Sequence, residues 1–264
     1  MSSSRNRFDD FFEDNRYTRL KNQLYNYQVR KRAIERELAA EPIRLVLEIG
    51  SGISPVMTKT NQIVYSELSL SACRVLKKLT GGGHHVAADA TRLPFHSGAF
   101  SHVVCSEVLE HVRDDDAVLR ELARVTAPNG TVILTVPHRE CFFANDDRYV
   151  HHYRRYELRS IEFKLRQAGL EPGPVKKVLG PLEKLTMMAA VLVFETVARR
   201  RRGSGSGRGS GKLHTLYVLF NRVYAHVVRL DAWLMPRFLS SCVLVKAGKG
   251  SAVRPDQSGS PGAQ

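Results

Sequence analysis

The chain has 264 residues, 43% of them hydrophobic, enough for one α/β domain with an elaboration or a small cap. A formal net charge of +14 calls for a polyanionic partner (nucleic acid, an anionic membrane face or a phosphorylated substrate), unless basic segments of low complexity account for the excess. Cys73, Cys105, Cys141 and Cys242 stand too far apart for a disulfide framework or a zinc motif, and MSSSRNRFDDFFED lacks the apolar core of a secretory leader, so a reducing cytoplasm is the expected setting.

Residues 8–40 read as an amphipathic helix, with Leu20, Leu24, Tyr27, Ile34 and Leu38 recurring at three-, four- and seven-residue steps. Pro42 ends it, and a helix placed there could cover a pocket. Strands are predicted at 44–49, 62–66, 84–88, 102–106 and 131–136, the last after a Pro128-Asn129-Gly130 turn. Helices are predicted at Ser69–Leu79, at Asp116–Val125 behind an aspartate cap, and at Glu157–Ala168, which Gly169 stops. Strands follow at 175–179 and 240–246. Alternating strands and helices predict an α/β, doubly wound, mostly parallel sheet.

Between the last two strands lies an insertion, 179–238, far longer than an ordinary connection. It holds two apolar arms, each interrupted by charge, around the flexible basic linker RRRRGSGSGRGSGK at 199–212. The uninterrupted apolar part of the first arm is too short to span a bilayer. The arms fit either a hairpin lying on an anionic membrane at its cytoplasmic face or a cap over a pocket. The Gly/Ser/Pro-rich tail, 248–264, is expected to be disordered.

The strand ends carry the chemistry. The first strand runs into Glu48-Ile49-Gly50-Ser51-Gly52, where glycines let backbone approach a ligand that a Cβ would exclude. The second ends at Glu67-Leu68, and an acid 17 residues past Gly50 can accept hydrogen bonds from ribose hydroxyls. The third ends at Asp89-Ala90, where a carboxylate can receive an adenine amino group. The fourth ends at Ser106-Glu107, followed by Val108-Leu109-Glu110-His111.

LVLEIGSG, YSEL, DATRLPFHSGAFSHVVCSEVLEHV and RELARVTAPNGTVILTVPH together resemble the class I S-adenosylmethionine-dependent methyltransferases, in the small-molecule and lipid branch. DDRYVHHYRRYELRSIEFKLRQAGL is similar to the same branch. The resemblance implies a seven-stranded Rossmann-like sheet with its last strand antiparallel, over 42–178 and 239–247, with residues 1–41 as an N-terminal helical cap. It implies S-adenosyl-L-methionine as cofactor, with Glu48, Gly50, Ser51 and Gly52 at the methionine moiety. Glu67 and Leu68 would lie at the ribose, Asp89 and Ala90 at the adenine, and Ser106 and Glu107 near the transferred methyl. The chain departs from the pattern at Ser54-Pro55, where a third glycine is usual, so the helix after the loop should start late or bend. It departs again at Ser101, which replaces an aspartate expected to cap a strand end.

The expected activity is methyl transfer to an oxygen or nitrogen atom of a small-molecule, possibly lipid-linked, acceptor. Such a transfer needs alignment, exclusion of water and, for some acceptors, a base. His111 and His138 are the candidate bases. His151, His152, Arg154 and Arg155 are candidate contacts to an anionic substrate group. No carboxylate spacing around His151-His152 makes a metal site, so no metal is expected. Three other readings stay open: a dinucleotide oxidoreductase, which wants a glycine where Pro55 stands; a non-catalytic cofactor-binding module; and a nucleic-acid methyltransferase, which commonly has an Asn/Asp-Pro-Pro-Tyr/Phe segment where this chain has Ser-Glu-Val-Leu.

Overall fold

Seven strands form one sheet in the order β3-β2-β1-β4-β5-β7-β6 in a computed structural model that describes residues 22–39, 41–58, 60–201 and 211–250. They are β1 (Val46–Ile49), β2 (Ile63–Glu67), β3 (His84–Ala87), β4 (Phe100–Ser106), β5 (Thr126–Pro137), β6 (Leu170–Leu179) and β7 (Cys242–Lys249). The first five pair in parallel. β7 runs antiparallel between β5 and β6, as expected of the last strand. Every residue of β1 and β2 is buried, because helices cover both faces of a parallel sheet. β1 lies between β2 and β4, so the chain winds away from it in both directions, and the crevice at that switch point is where such sheets bind ligands.

The helices are α1 (Tyr25–Leu38), α2 (Leu70–Thr80), α3 (Asp115–Val125), α4 (Asn145–Tyr149), α5 (Leu158–Gln167), α6 (Pro181–Arg201) and α7 (Gly211–Leu234). The Ser69 hydroxyl accepts from the Ala72 N–H to cap α2, which ends at Gly81 with φ +64°. Asp114 caps α3, where Asp115 and Asp116 sit at the positive end of the helix dipole. One core joins α3 and α5 to the sheet through Val118, Leu119, Leu122, Ile161 and Leu165. The other gathers Ile34 and Leu38 of α1, Leu76 of α2, and Ala225 and Val228 of α7.

Four local expectations meet a different structure. Of the predicted helix at 8–40, residues 8–21 lie outside the described set, and α1 starts only at Tyr25. The Pro128-Asn129-Gly130 turn does not start the strand. β5 begins at Thr126 and absorbs the turn as an irregularity, the register passing from Phe100↔Thr126 to His102↔Thr131, with Asn129 at φ +58°. No helix forms between β1 and β2 among the described residues. Ser101 keeps a pinning role: its hydroxyl accepts from the Leu45 and Arg44 N–H groups and donates to the Leu45 carbonyl.

Residues 199–201 and 211–212, expected in the linker, are helical. Of the tail expected to be disordered, 248–264, Gly248 and Lys249 belong to β7, held by pairing with β5 and β6; residues 202–210 and those beyond 250 lie outside the described set.

Candidate active site

A cavity of about 1060 Å³ opens at the carboxyl edge of β1, β2 and β4. That is room for a nucleoside-sized ligand together with a second molecule. Glu48, Gly50, Ser51, Gly52, Glu67, Leu68, Asp89, Ala90, Ser106 and Glu107 all line it, with His111, His151, His152 and Arg155. His138 and Arg154 do not. The His138 ring is buried with Nδ1 3.0 Å from the Ser240 carbonyl, and Arg154 reaches outward to the Arg113 carbonyl and Asp115.

The loop after β1 is held open without a helix. The Glu48 carboxylate accepts from the Val56 and Met57 N–H groups at 2.8 and 2.9 Å. Glu67 accepts from the Gly52 and Ser69 N–H groups at 2.8 and 3.1 Å. Tyr27 and Tyr65 donate to the Pro55 and Met57 carbonyls, both at 2.7 Å. Side chains therefore replace the missing helical turn as partners for this backbone. Burial pushes the Glu48 carboxyl up to about 7, against the pull of its two N–H donors. Gly50 has φ +67°, and a Cβ there would come within 2.4 Å of a Val108 methyl, so this position needs glycine twice over.

The cavity wall fits an adenosyl sulfonium cofactor. Glu67 retains lone pairs for ribose hydroxyls beyond the two it spends on the loop. The exposed Asp89 carboxylate turns one oxygen to the Thr91 N–H and hydroxyl, both at 2.8 Å. Ser54 and Ser66 line the cavity with buried hydroxyls that have no hydrogen-bond partner among the described residues, which suits polar ligand atoms.

The opposite end is built from parts distant in sequence. Leu24, at the N-cap of α1, and Asn26, Tyr27 and Arg30 within it form one part, and α6 supplies Glu183 and Met187. Glu107, at φ +55°, faces Arg30 at 3.7 Å and accepts from the Cys242 thiol at 3.5 Å. Beneath the wall, Lys184 pairs with Asp146 and Asp147 at 2.5 and 2.6 Å, and Arg155 pairs with Asp147 at 2.8 Å. Burial acts to raise the Asp147 carboxyl, but His152, Arg155 and Lys184 together hold it far below its ordinary value.

Arg155 spends its remaining donors on the His138 and Ser241 carbonyls, so it braces the wall. Sequence reasoning missed Arg30, Asp146, Asp147, Glu183 and Lys184. Arg30 carried a readable signal, a charge three residues from Tyr27 and four from Ile34 on the apolar face of α1. The pairing of Lys184 with Asp146 and Asp147 had none, because it joins separate elements.

Comparison with known proteins agrees with this geometry. A family model described as a methyltransferase domain matches residues 47–134. The demethylmenaquinone methyltransferase of Streptomyces avermitilis is 33% identical over 131 residues, 48% of this chain and 57% of that protein. The Mycobacterium marinum protein of the same name is 30% identical over 149 residues, 54% of this chain and 61% of its own. The chain thus spans about three fifths of the length of these two curated relatives.

Among solved structures, an S-adenosylmethionine-dependent methyltransferase of Thermotoga maritima superposes with a TM-score of 0.59 at 15% identity, covering 92% of this chain and 97% of that one. Phosphoethanolamine N-methyltransferase 2 of Haemonchus contortus, solved with S-adenosyl-L-methionine, gives 0.57 at 17% identity, covering 95% of this chain and 62% of that one. At these identities the structures speak for the fold alone. Residues 47–134 thus match a methyltransferase domain, set in a sheet whose strand order and glycine-lined crevice share the fold of S-adenosylmethionine-dependent methyltransferases.

Proposed function

We propose that this chain transfers a methyl group from S-adenosyl-L-methionine to an oxygen or nitrogen atom of a small, lipid-linked acceptor, while resting on the cytoplasmic face of an anionic membrane. The bound cofactor supplies an already electrophilic methyl group. The protein's task is then to align the acceptor and keep water out, and such positioning can remove about 7–11 kcal/mol of barrier. Glu67, Asp89 and the Gly50–Gly52 backbone hold the cofactor. Glu107 and Ser106 face its reactive end. Of the two imidazoles considered for proton removal, His111 alone lines the cavity, which supports seating the polar end of the acceptor beside it.

The observation that carries the acceptor class is the α6–α7 hairpin. Its inner side is committed to the cavity wall and the core: Glu183 and Met187 line the cavity, and Ala225 and Val228 are fully buried. Its outer side leaves Leu219, Phe220, Val223, Leu230, Trp233 and Leu234 exposed, Trp233 by 74%. An apolar strip of this extent on one helix is unusual for a surface facing only water. The basic segment 199–212 joins the two arms in sequence, as an interfacial helix pair on anionic lipid requires. No described helix is long and apolar enough to cross a membrane. The cap and membrane readings of the insertion therefore apply to opposite sides of the same hairpin. The demethylmenaquinone methyltransferase relatives, which suggest a small lipid-like acceptor, support the same class.

The test supplies methyl-labelled cofactor with a cell lipid extract and, separately, with the water-soluble extract. Label should enter the lipid fraction, and Trp233→Ser with Leu230→Ser should weaken co-sedimentation with anionic vesicles while cofactor affinity stays unchanged. Label confined to water-soluble products, or undiminished vesicle binding by the double variant, would refute the acceptor class or the membrane contact respectively.

A further inference from the structure

Beside the acceptor end of the cavity, Glu110 is completely buried, yet neither of its carboxylate oxygens has a hydrogen-bond partner among the described residues. Burial, with Glu107 beside it, raises this carboxyl well above its ordinary value, so it rests as the neutral acid unless a cation meets it and takes the proton's place. The cations nearby are otherwise engaged: Arg30 faces Glu107, while Arg155 and Lys184 are spent on Asp146 and Asp147. What does face Glu110 is a pair of imidazoles. His152 Nε2 lies 3.7 Å from Glu110 Oε1, too far for a hydrogen bond, and the His111 ring stands edge-on to the His152 ring at 4.7 Å between centroids. One donor atom from each of Glu110, His111 and His152 lies within 4.8 Å of the other two.

We propose that Glu110, His111 and His152 form a binding site for a divalent transition-metal ion of the zinc type at the acceptor end of the cavity. Two imidazole nitrogens and one carboxylate favour such an ion over magnesium or calcium, which take mainly oxygen ligands. Metal–ligand distances of about 2.0–2.2 Å put tetrahedral donors about 3.4 Å apart, so separations of up to 4.8 Å would close by about 1.4 Å or less on binding.

The surroundings are arranged as an outer ligand shell. His152 Nδ1 is 2.9 Å from Asp147 Oδ1, which puts the ring proton on Nδ1 and leaves the Nε2 lone pair toward Glu110. Asp147 is itself fixed by Arg155 and Lys184. The Tyr153 N–H donates to the Glu110 carbonyl at 2.8 Å, tying the His152 segment to the turn that carries Glu110 and His111.

Spacing within the sequence hid this site, because Glu110 and His152 come from segments 42 residues apart that only the fold brings together. His111 and His152 line the cavity, so the open coordination positions face the acceptor. His111 then meets the acceptor through the ion, which would hold an acceptor oxygen. The inference stands apart from the proposed acceptor class, since it requires only that the three side chains bind the ion.

The full chain, stripped with chelator, is dialysed against ZnCl2 and its metal content measured, with the visible absorption of Co²⁺ as the second readout. S-adenosylhomocysteine affinity and thermal melting are recorded for every variant. Wild type should take up one equivalent and give the intense visible bands of low-coordinate Co²⁺. Glu110→Gln and His152→Gln should each weaken uptake at least tenfold while melting cooperatively and binding S-adenosylhomocysteine. Absence of saturable uptake by wild type would overturn the proposal, as would equal uptake by wild type and both variants. If one variant fails to fold, the wild-type stoichiometry, the Co²⁺ spectrum and the other variant still decide. Metal uptake without S-adenosylhomocysteine binding would instead count against the cofactor assignment and leave the metal site standing.

Discussion

Glu48 ties the cofactor loop to pH. Its carboxyl is buried, holds the Val56 and Met57 N–H groups, and is raised from an ordinary 4.5 to about 7. A folded value above the unfolded one means that the native state binds this proton more tightly. The stabilisation is therefore complete at low pH and lost as pH rises through about 7. At about 1.4 kcal/mol per pH unit the gap is worth about 3 kcal/mol, of which roughly 2–3 kcal/mol falls between about pH 5 and 7.5.

Glu48→Gln keeps the shape and one acceptor oxygen, removes the titration, and leaves one loop N–H short of a partner, at a cost of about 1–3 kcal/mol. Urea or thermal melts of both proteins at the two pH values isolate the effect, because the other carboxyls cancel in the difference. The advantage of wild type over the variant should shrink by roughly 2–3 kcal/mol at the higher pH, about 5–10 °C in melting temperature for a domain of this size. Parallel curves, or an advantage that grows with pH, would refute the assignment of a buried, proton-binding Glu48.

Gly50→Ala should lower stability by about 1–3 kcal/mol and weaken cofactor affinity, because the residue would sit at φ +67° with its Cβ against Val108; calorimetry and melting of the same sample check both effects. Any side chain at this position disturbs the loop itself, so Gly50→Arg cannot be expected to leave the local fold intact. Lys184→Met should cost about 3–5 kcal/mol, since it leaves the buried Asp146 carboxylate only Arg155 at 3.9 Å and takes one of three side-chain partners from Asp147, and a denaturant titration measures that loss directly.

The sheet was legible because each strand is an apolar run ending at a turn or an acid, and four of those ends carry the cofactor pattern. Other features escaped for identifiable reasons. Pro128-Asn129-Gly130 has turn chemistry, yet β4 pairs with β5 on both sides of it, at Phe100↔Thr126 and again from His102↔Thr131, so the strand absorbs it as an irregularity. Ser101 looked like a lost cap because the residue type changed, but a hydroxyl can donate and accept at once and does both here. The loop after β1 looked like a delayed helix start. Its polar backbone is satisfied by Glu48, Glu67, Tyr27 and Tyr65, three of which lie in strands and one in α1, and no local pattern reports such long-range partners.

Arg155 resembled a substrate contact by charge alone. Burial against Asp147 and two carbonyls gives it a bracing role that only tertiary structure displays. His138 followed a strand end as a catalytic base would, but Ser240 and Ser241, just before β7, close over it.

Titration calorimetry with S-adenosylhomocysteine most directly tests whether this crevice holds the cofactor. Wild type should show saturable one-site binding, and Asp89→Ala, which removes an exposed carboxylate at the β3 end, should weaken it at least about tenfold, the loss of about 1.4 kcal/mol, with an unchanged melting curve. No heat with wild type, or equal affinity in wild type and Asp89→Ala, would contradict the account.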